Sequence, residues 1–169
     1  MDVFEAVRTV LAVRSYDERP VPPDVVQRIV QAAQLTGSAG NGQPWHFVVV
    51  SERETLRRLG EAVKTGPYVA GAPLAVAVAV ERGSRFAISD ASRAIQSMIL
   101  VAWDAGVGSN WAGFGGLDDV RSLLGIPDEY DVLAVVPLGY AADARSGGRK
   151  NRKALADVVS AERFGRPFS

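Results

Sequence analysis

Apolar residues at Val3, Phe4, Val7, Val10 and Leu11 recur at the spacing of one helical face, so the chain is expected to open with a helix from Val3 to Leu11. The pattern breaks around Arg14, and Arg19-Pro20-Val21-Pro22-Pro23 reads as a turn. Pro22-Pro23-Asp24 opens a second helix, in which Val25, Val26, Ile29, Val30, Ala33 and Leu35 keep the helical period. Proline is tolerated in a first turn because its missing N–H would have no partner there. A polar, glycine-rich loop runs from Thr36 to Pro44. Trp45 to Val50 reads as a strand, and Glu52 to Ala62 as a polar helix with Leu56 and Leu59 inward. Leu74 to Val80 has no polar alternation, which predicts a strand buried on both faces.

The longest helix is expected from Phe86 to Ala105, with Ile88, Ala91, Ile95, Met98, Ala102 and Ala105 as its buried stripe. Gly106-Val107-Gly108 ends it. A short strand over Asn110 to Phe114 then runs into Gly115-Gly116, and a short helix from Leu117 to Leu124 stops at Gly125. Asp131 to Tyr140 is the last strand, and Pro137 within it predicts an edge, a bulge or the strand's end. Arg145 to Lys153 is a basic loop and Ala154 to Ser160 a final turn. The tail Phe164-Gly165-Arg166-Pro167-Phe168 has little core of its own and is either loose or docked on a partner subunit. Helices and strands mix without strict alternation and no linker divides residues 1–169, which predicts a single α+β domain rather than a doubly wound sheet.

Composition narrows the chemistry. Lys plus Arg and Asp plus Glu stand at 19 each, so there is no concentrated positive field for nucleic acid. With no cysteine, disulfides, thiolate catalysis and zinc–thiolate sites are excluded. One histidine, His46, and no carboxylate cluster of calcium-loop spacing argue against a metal site. There is no Gly-x-Ser-x-Gly nucleophile elbow. The chain opens with acids where a secretion signal carries lysines, and its longest apolar run, Ala72 to Val80, is too short to span a bilayer. The expectation is a cytoplasmic protein with no membrane partner.

Four polar stations remain. Arg14 and Ser15 follow the first helix; Gly37 to Gln43 forms the glycine-rich loop; Asn110 to Gly116 is a tight, aromatic segment; Arg149-Lys150-Asn151-Arg152-Lys153 is basic. Each has a bland alternative: a solvated charge run, a helix-to-strand connection, a turn between core elements. The functional alternative makes Lys150 and Arg152 a phosphate grip. Ser38, Asn41 and Gln43 would then offer hydrogen bonds to a planar polar ligand. The Gly37–Gln43 loop is not a dinucleotide fingerprint, because it follows a helix and opens a strand, the reverse of that motif. His46 at a strand start reads as structural.

In this order the stations resemble the FMN-dependent nitroreductase family. Ser38-Ala39-Gly40-Asn41-Gly42-Gln43-Pro44-Trp45-His46-Phe47 is similar to its Ser-x-x-Asn-x-Gln-Pro-Trp-x-Phe signature. Arg14-Ser15-Tyr16 with Arg19-Pro20-Val21, Ala72-Pro73, Gly106-Val107-Gly108-Ser109 with Trp111-Ala112-Gly113-Phe114, and Lys150-Asn151-Arg152-Lys153-Ala154-Leu155 extend the likeness over nearly the whole chain. The chain is shorter than members with a helical insertion after the second core strand.

The resemblance implies a central, mostly antiparallel sheet flanked by helices, in an intertwined homodimer with FMN at the interface. It implies that Arg14 lies near the ribityl and phosphate, that Ser38 and Asn41 reach the flavin from the neighbouring subunit, and that Ala39 and Gln43 also belong to the cofactor-binding set. Main-chain groups of Ala112 and Gly113 would face the ring, and Lys150 and Arg152 would hold the phosphate. NAD(P)H would reduce the flavin, and a nitroaromatic, quinone or similar small-molecule acceptor would reoxidise it in ping-pong fashion, with no catalytic side chain required. One departure stands out: Val10 and Ala12 occupy positions where the family carries arginine and serine. A lost charge-assisted contact costs about 1.5–3 kcal/mol. A deazaflavin in place of FMN, or a non-catalytic flavin-binding protein, is the alternative that this departure suggests.

Overall fold

The computed structural model describes residues 1–143 and 150–168; Arg145 and Arg149 of the basic loop lie outside them. Its elements are α1 (Val3–Thr9), α2 (Pro23–Gln34), β1 (Trp45–Val50), α3 (Arg53–Ala62), β2 (Leu74–Glu81), α4 (Ala87–Asp104), β3 (Gly108–Ser109), α5 (Asp118–Leu123) and β4 (Tyr130–Gly139). Short 3-10 turns cover Ala39–Asn41, Pro67–Gly71 and Leu155–Asp157. The strands form one antiparallel sheet in the order β1-β2-β4-β3. Ala12 bridges Ser109 in parallel and Val13 N–H donates to the Ser109 carbonyl at 2.9 Å, so the stretch after α1 extends the sheet beyond β3.

Both faces of the sheet are covered, as the apolar run of β2 predicts. Val76, Val78 and Val80 point into a cluster with Ile29 and Ala33 of α2 and Ile95 and Met98 of α4. Ala75, Ala77 and Ala79 face Leu56 and Leu59 of α3, Val69 and Val120. Alternation of valine and alanine gives β2 a bulky and a thin face, so two helical layers pack at different depths. Leu56 and Leu59 are buried as their spacing predicts. Glu52, expected inside α3, is its N-cap instead: its carboxylate accepts from Glu54 N–H at 2.9 Å and Thr55 N–H at 2.6 Å.

Expectations for α1, α4 and the segment after α4 are corrected. Helix α1 ends at Thr9, because Val10 to Val13 leave helical geometry to pair with β3. Its stripe is not buried within the chain: Val3 is 77% and Phe4 76% exposed, and the buried residue is Ala6. In α4, Ile88 is exposed, while Asp90 takes a place in the buried stripe. The strand expected over Asn110 to Phe114 is really Gly108–Ser109, with only an isolated bridge from Ala112 to Val135 beyond it. Positive φ angles at Gly113, Gly115 and Gly116 turn the chain away.

Pro137 explains where β3 stops. It lies in an interior strand, opposite Ala75 of β2, and the bulge sits in the β2–β4 ladder at Val78/Ala79 rather than at the proline. A strand residue's N–H and C=O point to the same side. The Pro137 carbonyl accepts from Asn110 N–H at 3.4 Å, so its missing donor faces the β3 side and the ladder ends there.

Gly108 sets the distance between β3 and the first segment. A Cβ there would stand 2.5 Å from Val13 Cγ2 and 2.8 Å from Val13 Cβ. Val13 is fully buried and β-branched, so it has nowhere to move. Gly108→Ala is expected to lower unfolding free energy by about 1–3 kcal/mol in urea denaturation; an unchanged midpoint would show that the segment adapts freely.

Candidate functional site

The pairing of Val13 with β3 delivers the next residues to one place. The Arg14 guanidinium lies 5.9 Å from the centroid of the Tyr68 ring. Tyr68 OH accepts from Asn110 Nδ2 at 2.6 Å, and Asn110 is buried. Tyr16 OH donates to the Val13 carbonyl at 2.6 Å. Burial pushes the Tyr16 phenol far above its usual pKa, Tyr68 adds to the effect and Arg14 opposes it, so Tyr16 stays protonated. Sequence reasoning missed Tyr68, and it singled out Asn110 only as the start of a polar station, not as a partner of Tyr68. Nothing in the local pattern joins residues so far apart in the chain.

Ala112 and Gly113 follow Asn110. Both are expected from the sequence to offer main-chain groups to a ligand, and the structure gives them different hydrogen-bond commitments. Ala112 N–H donates to the Val135 carbonyl and Val135 N–H to the Ala112 carbonyl, both at 2.9 Å, so Ala112 is committed to the sheet. Gly113 differs. Its carbonyl accepts from Trp111 Nε1 at 2.5 Å, and its N–H has no partner among the described residues. Its φ of 76° and the Leu117 Cδ1 atom 2.8 Å from a would-be Cβ make glycine necessary.

The second station is a strained loop. Gly40, Asn41 and Gln43 all have left-handed φ, near 57°, 57° and 51°. Non-glycine residues hold that geometry only where their surroundings enforce it. Hydrogen bonds do so, among them Gln43 N–H to Ser38 Oγ at 2.9 Å, Gln43 Nε2 to the Asn41 carbonyl at 3.2 Å, Asn41 N–H to the Ser38 carbonyl at 3.0 Å and Ala39 N–H to Asp90 Oδ2 at 3.0 Å. Asn41 and Gln43 are exposed, and Ser38 and Ala39 half-buried. No hydrogen bond, ion pair or ring contact among the described residues joins this loop to Arg14, Gly113, Lys150 or Arg152. Within one chain the stations thus fall into separate groups.

Asp90 anchors the loop from α4. Its side chain is 2% exposed and also pairs with Arg93. Burial alone would raise its pKa, but the Ala39 N–H, Arg93 and Ser89 outweigh it and hold the carboxyl below its ordinary range. An acid on the apolar stripe of α4, four residues before Ala94, is a signal that sequence reasoning could have used.

The third group joins the chain's two ends. Lys150 Nζ donates to the Val7 carbonyl in α1. Its pKa is lowered first by burial, then by Arg152 and Arg8. Arg152 Nη1 donates to the Asn151 carbonyl at 3.0 Å and is otherwise exposed. His46 is remote from the Asn110 cluster: it stands edge-on to Tyr130, at the opposite end of β4 from Pro137. Among the described residues no group of three His, Cys, Asp or Glu is placed to hold a metal, and no helix is long and apolar enough to cross a membrane.

The charged form of Asp90 makes the bonds, so its contribution is complete above the unfolded carboxylate value and lost as pH falls through the lower folded value. Asp90→Asn is expected to lower the thermal midpoint at pH 7. The gap from the parent protein should narrow below pH ~4. A gap independent of pH would show that Asp90 acts through packing alone.

Comparison with known proteins identifies the family. A model described as the nitroreductase family matches residues 8–81 and 67–140. Two archaeal proteins carry provisional names as NADH dehydrogenase/NAD(P)H nitroreductases. The one from Methanothermobacter thermautotrophicus is 37% identical over 151 residues, covering 85% of this chain and 79% of that protein. The one from Archaeoglobus fulgidus is 34% identical over 172 residues, covering 96% and 99%. An FMN-dependent nitroreductase from Clostridium difficile superposes with a TM-score of 0.87 at 23% identity, covering 96% of this chain and all of that one, which supports the fold. With its matched segments spanning both the signature loop and the Asn110 turn, the chain belongs to the nitroreductase family.

Proposed function

We propose that this protein is an NAD(P)H-dependent flavin oxidoreductase that reduces nitroaromatics, quinones or similar electron-poor small molecules, with FMN held between two copies of the chain. The observation that carries this reading is the docking of Lys150 on α1, which brings the basic segment to the stretch that leads into Arg14. The donor set suits FMN. Lys150 and Arg152 offer cations to its phosphate, Arg14 a guanidinium beside Tyr68, and Gly113 an uncommitted N–H. Names of the relatives, NAD(P)H nitroreductase and FMN-dependent nitroreductase, point the same way.

Bound there, FMN supplies the two-electron relay between nicotinamide and acceptor. The chain's own residues bind and orient. Lys150 and Arg152 neutralise the phosphate, Arg14 places positive charge beside the Asn110 turn, and the Ala39–Gln43 loop holds Asn41 in fixed geometry through Asp90. Tyr16 is locked as a donor to Val13, and no acid–base pair stands among these residues, so protons come from solvent. Donor and acceptor would react in turn, in a ping-pong sequence.

The exposed apolar surface supports the homodimer. Val3, Phe4 and Val7 of α1 and Leu155, Val158, Phe164 and Phe168 of the tail are all solvent-facing in one chain. Apolar groups left open at this density mark an interaction surface. A second copy would cover them and bring its own Ser38–Gln43 loop to a site that a single chain leaves incomplete.

The purified protein is expected to show a flavin band near ~450 nm that NAD(P)H bleaches. Arg152→Ala should weaken FMN by roughly tenfold to a hundredfold, equivalent to ~1.5–3 kcal/mol, with little change in thermal midpoint. Unchanged FMN affinity in that variant would remove Arg152 from the phosphate site. A protein that retains no flavin even with excess FMN would shift the assignment to a deazaflavin-binding or non-catalytic role, the reading favoured by the apolar Val10 and Ala12 side chains.

A further inference from the structure

We infer that Arg8 is a third phosphate-binding residue, acting with Lys150 and Arg152 from the last turn of α1. This rests on the FMN reading above and names a residue that it does not use. Arg8 is adjacent to Val7, whose carbonyl receives the Lys150 ammonium, so the fold brings cations from the two ends of the chain to one spot. Arg8 and Arg152 both act electrostatically on Lys150. Like charges gathered by folding repel unless an anion offsets them. Among the described residues no carboxylate pairs with Lys150 or Arg152, while Arg8 pairs with Glu5 through Nε and Nη2 at 2.8 and 2.7 Å. Val10 and Ala12, on the segment leaving α1, offer no side-chain donor.

The Glu5–Arg8 pair sets the character of the site. Both side chains are substantially exposed, at 40% and 61%, and an exposed pair of this kind is weak. A dianionic phosphate competes for the same guanidinium fork and meets two more cations as well. Glu5 therefore acts as a stand-in anion that yields Arg8 when phosphate arrives. The last turn of a helix also favours a cation for its own sake, which would make Arg8 purely structural. The two roles separate by experiment.

FMN and riboflavin differ only by the phosphate, so their dissociation constants are measured on the flavin-free protein by fluorescence quenching. Arg8→Ala is expected to weaken FMN by roughly tenfold and leave riboflavin unchanged, and Arg8→Lys to recover part of the loss. Glu5→Gln is expected to tighten FMN by about twofold to fivefold, because the competing anion is gone. A drop in thermal midpoint with unaltered FMN affinity in Arg8→Ala, or equal weakening of both flavins, overturns the assignment of Arg8. Parent protein that binds FMN no better than riboflavin overturns the phosphate grip as a whole, and with it this inference. A preference for FMN that survives in Arg8→Ala but is lost in Arg152→Ala removes Arg8 alone.

Discussion

Gly108 has no side chain, and Val13 fills the space it leaves. That close approach, with the hydrogen bond from Val13 N–H to Ser109, fixes the first segment as an added strand at the edge of the sheet. The rest of the candidate site depends on it. Arg14 is set beside Tyr68 because Val13 cannot shift. Tyr16 is set against the Val13 carbonyl for the same reason. The end of α1 lies where Lys150 can reach it, so the first helix and the segment after β4 meet at one charged surface.

Two kinds of rigidity support the polar stations. The β2 strand is buried on both sides, with valines toward α2 and α4 and alanines toward α3 and α5, and it holds β4 in register for Ala112 and Asn110 to attach. The Ala39–Gln43 loop has no such scaffold of its own. It keeps an unfavourable backbone because a buried carboxylate on α4 receives its N–H group. A charge placed in an apolar layer is costly unless its bonds are complete. Asp90 therefore ties the loop's shape to the stability of the helix that carries it.

The surface is less self-contained than the interior. Apolar side chains of α1 and of the tail face solvent, while the cationic group and the strained loop lie open. Apolar groups left open at this density support the homodimer proposed above.

Much of the fold was legible in the chain. Leu56 and Leu59 are three apart on a helix and were bound to face inward; the unbroken run Leu74 to Val80 required cover on two sides; the Ser38–Phe47 signature announced the family. These are local properties, decided by period and residue type. By contrast, the stripe Val3, Phe4, Val7 reports that something must bury it, not that its own chain does. Pro137 reports a missing donor, and only strand order shows which side loses it. Ala112 and Gly113 look equivalent as neighbours, yet pairing with Val135 commits one N–H, while the other has no partner among the described residues. The sequence by itself determined most of the helices and strands, the inward residues of α3 and β2, and which segments are polar. Tertiary structure decided which stations meet: Arg14 with Tyr68 and Asn110, Ala39 with Asp90, and Lys150 with α1. Those contacts join residues far apart in the chain, and their partners are chosen by how layers stack rather than by any neighbouring residue.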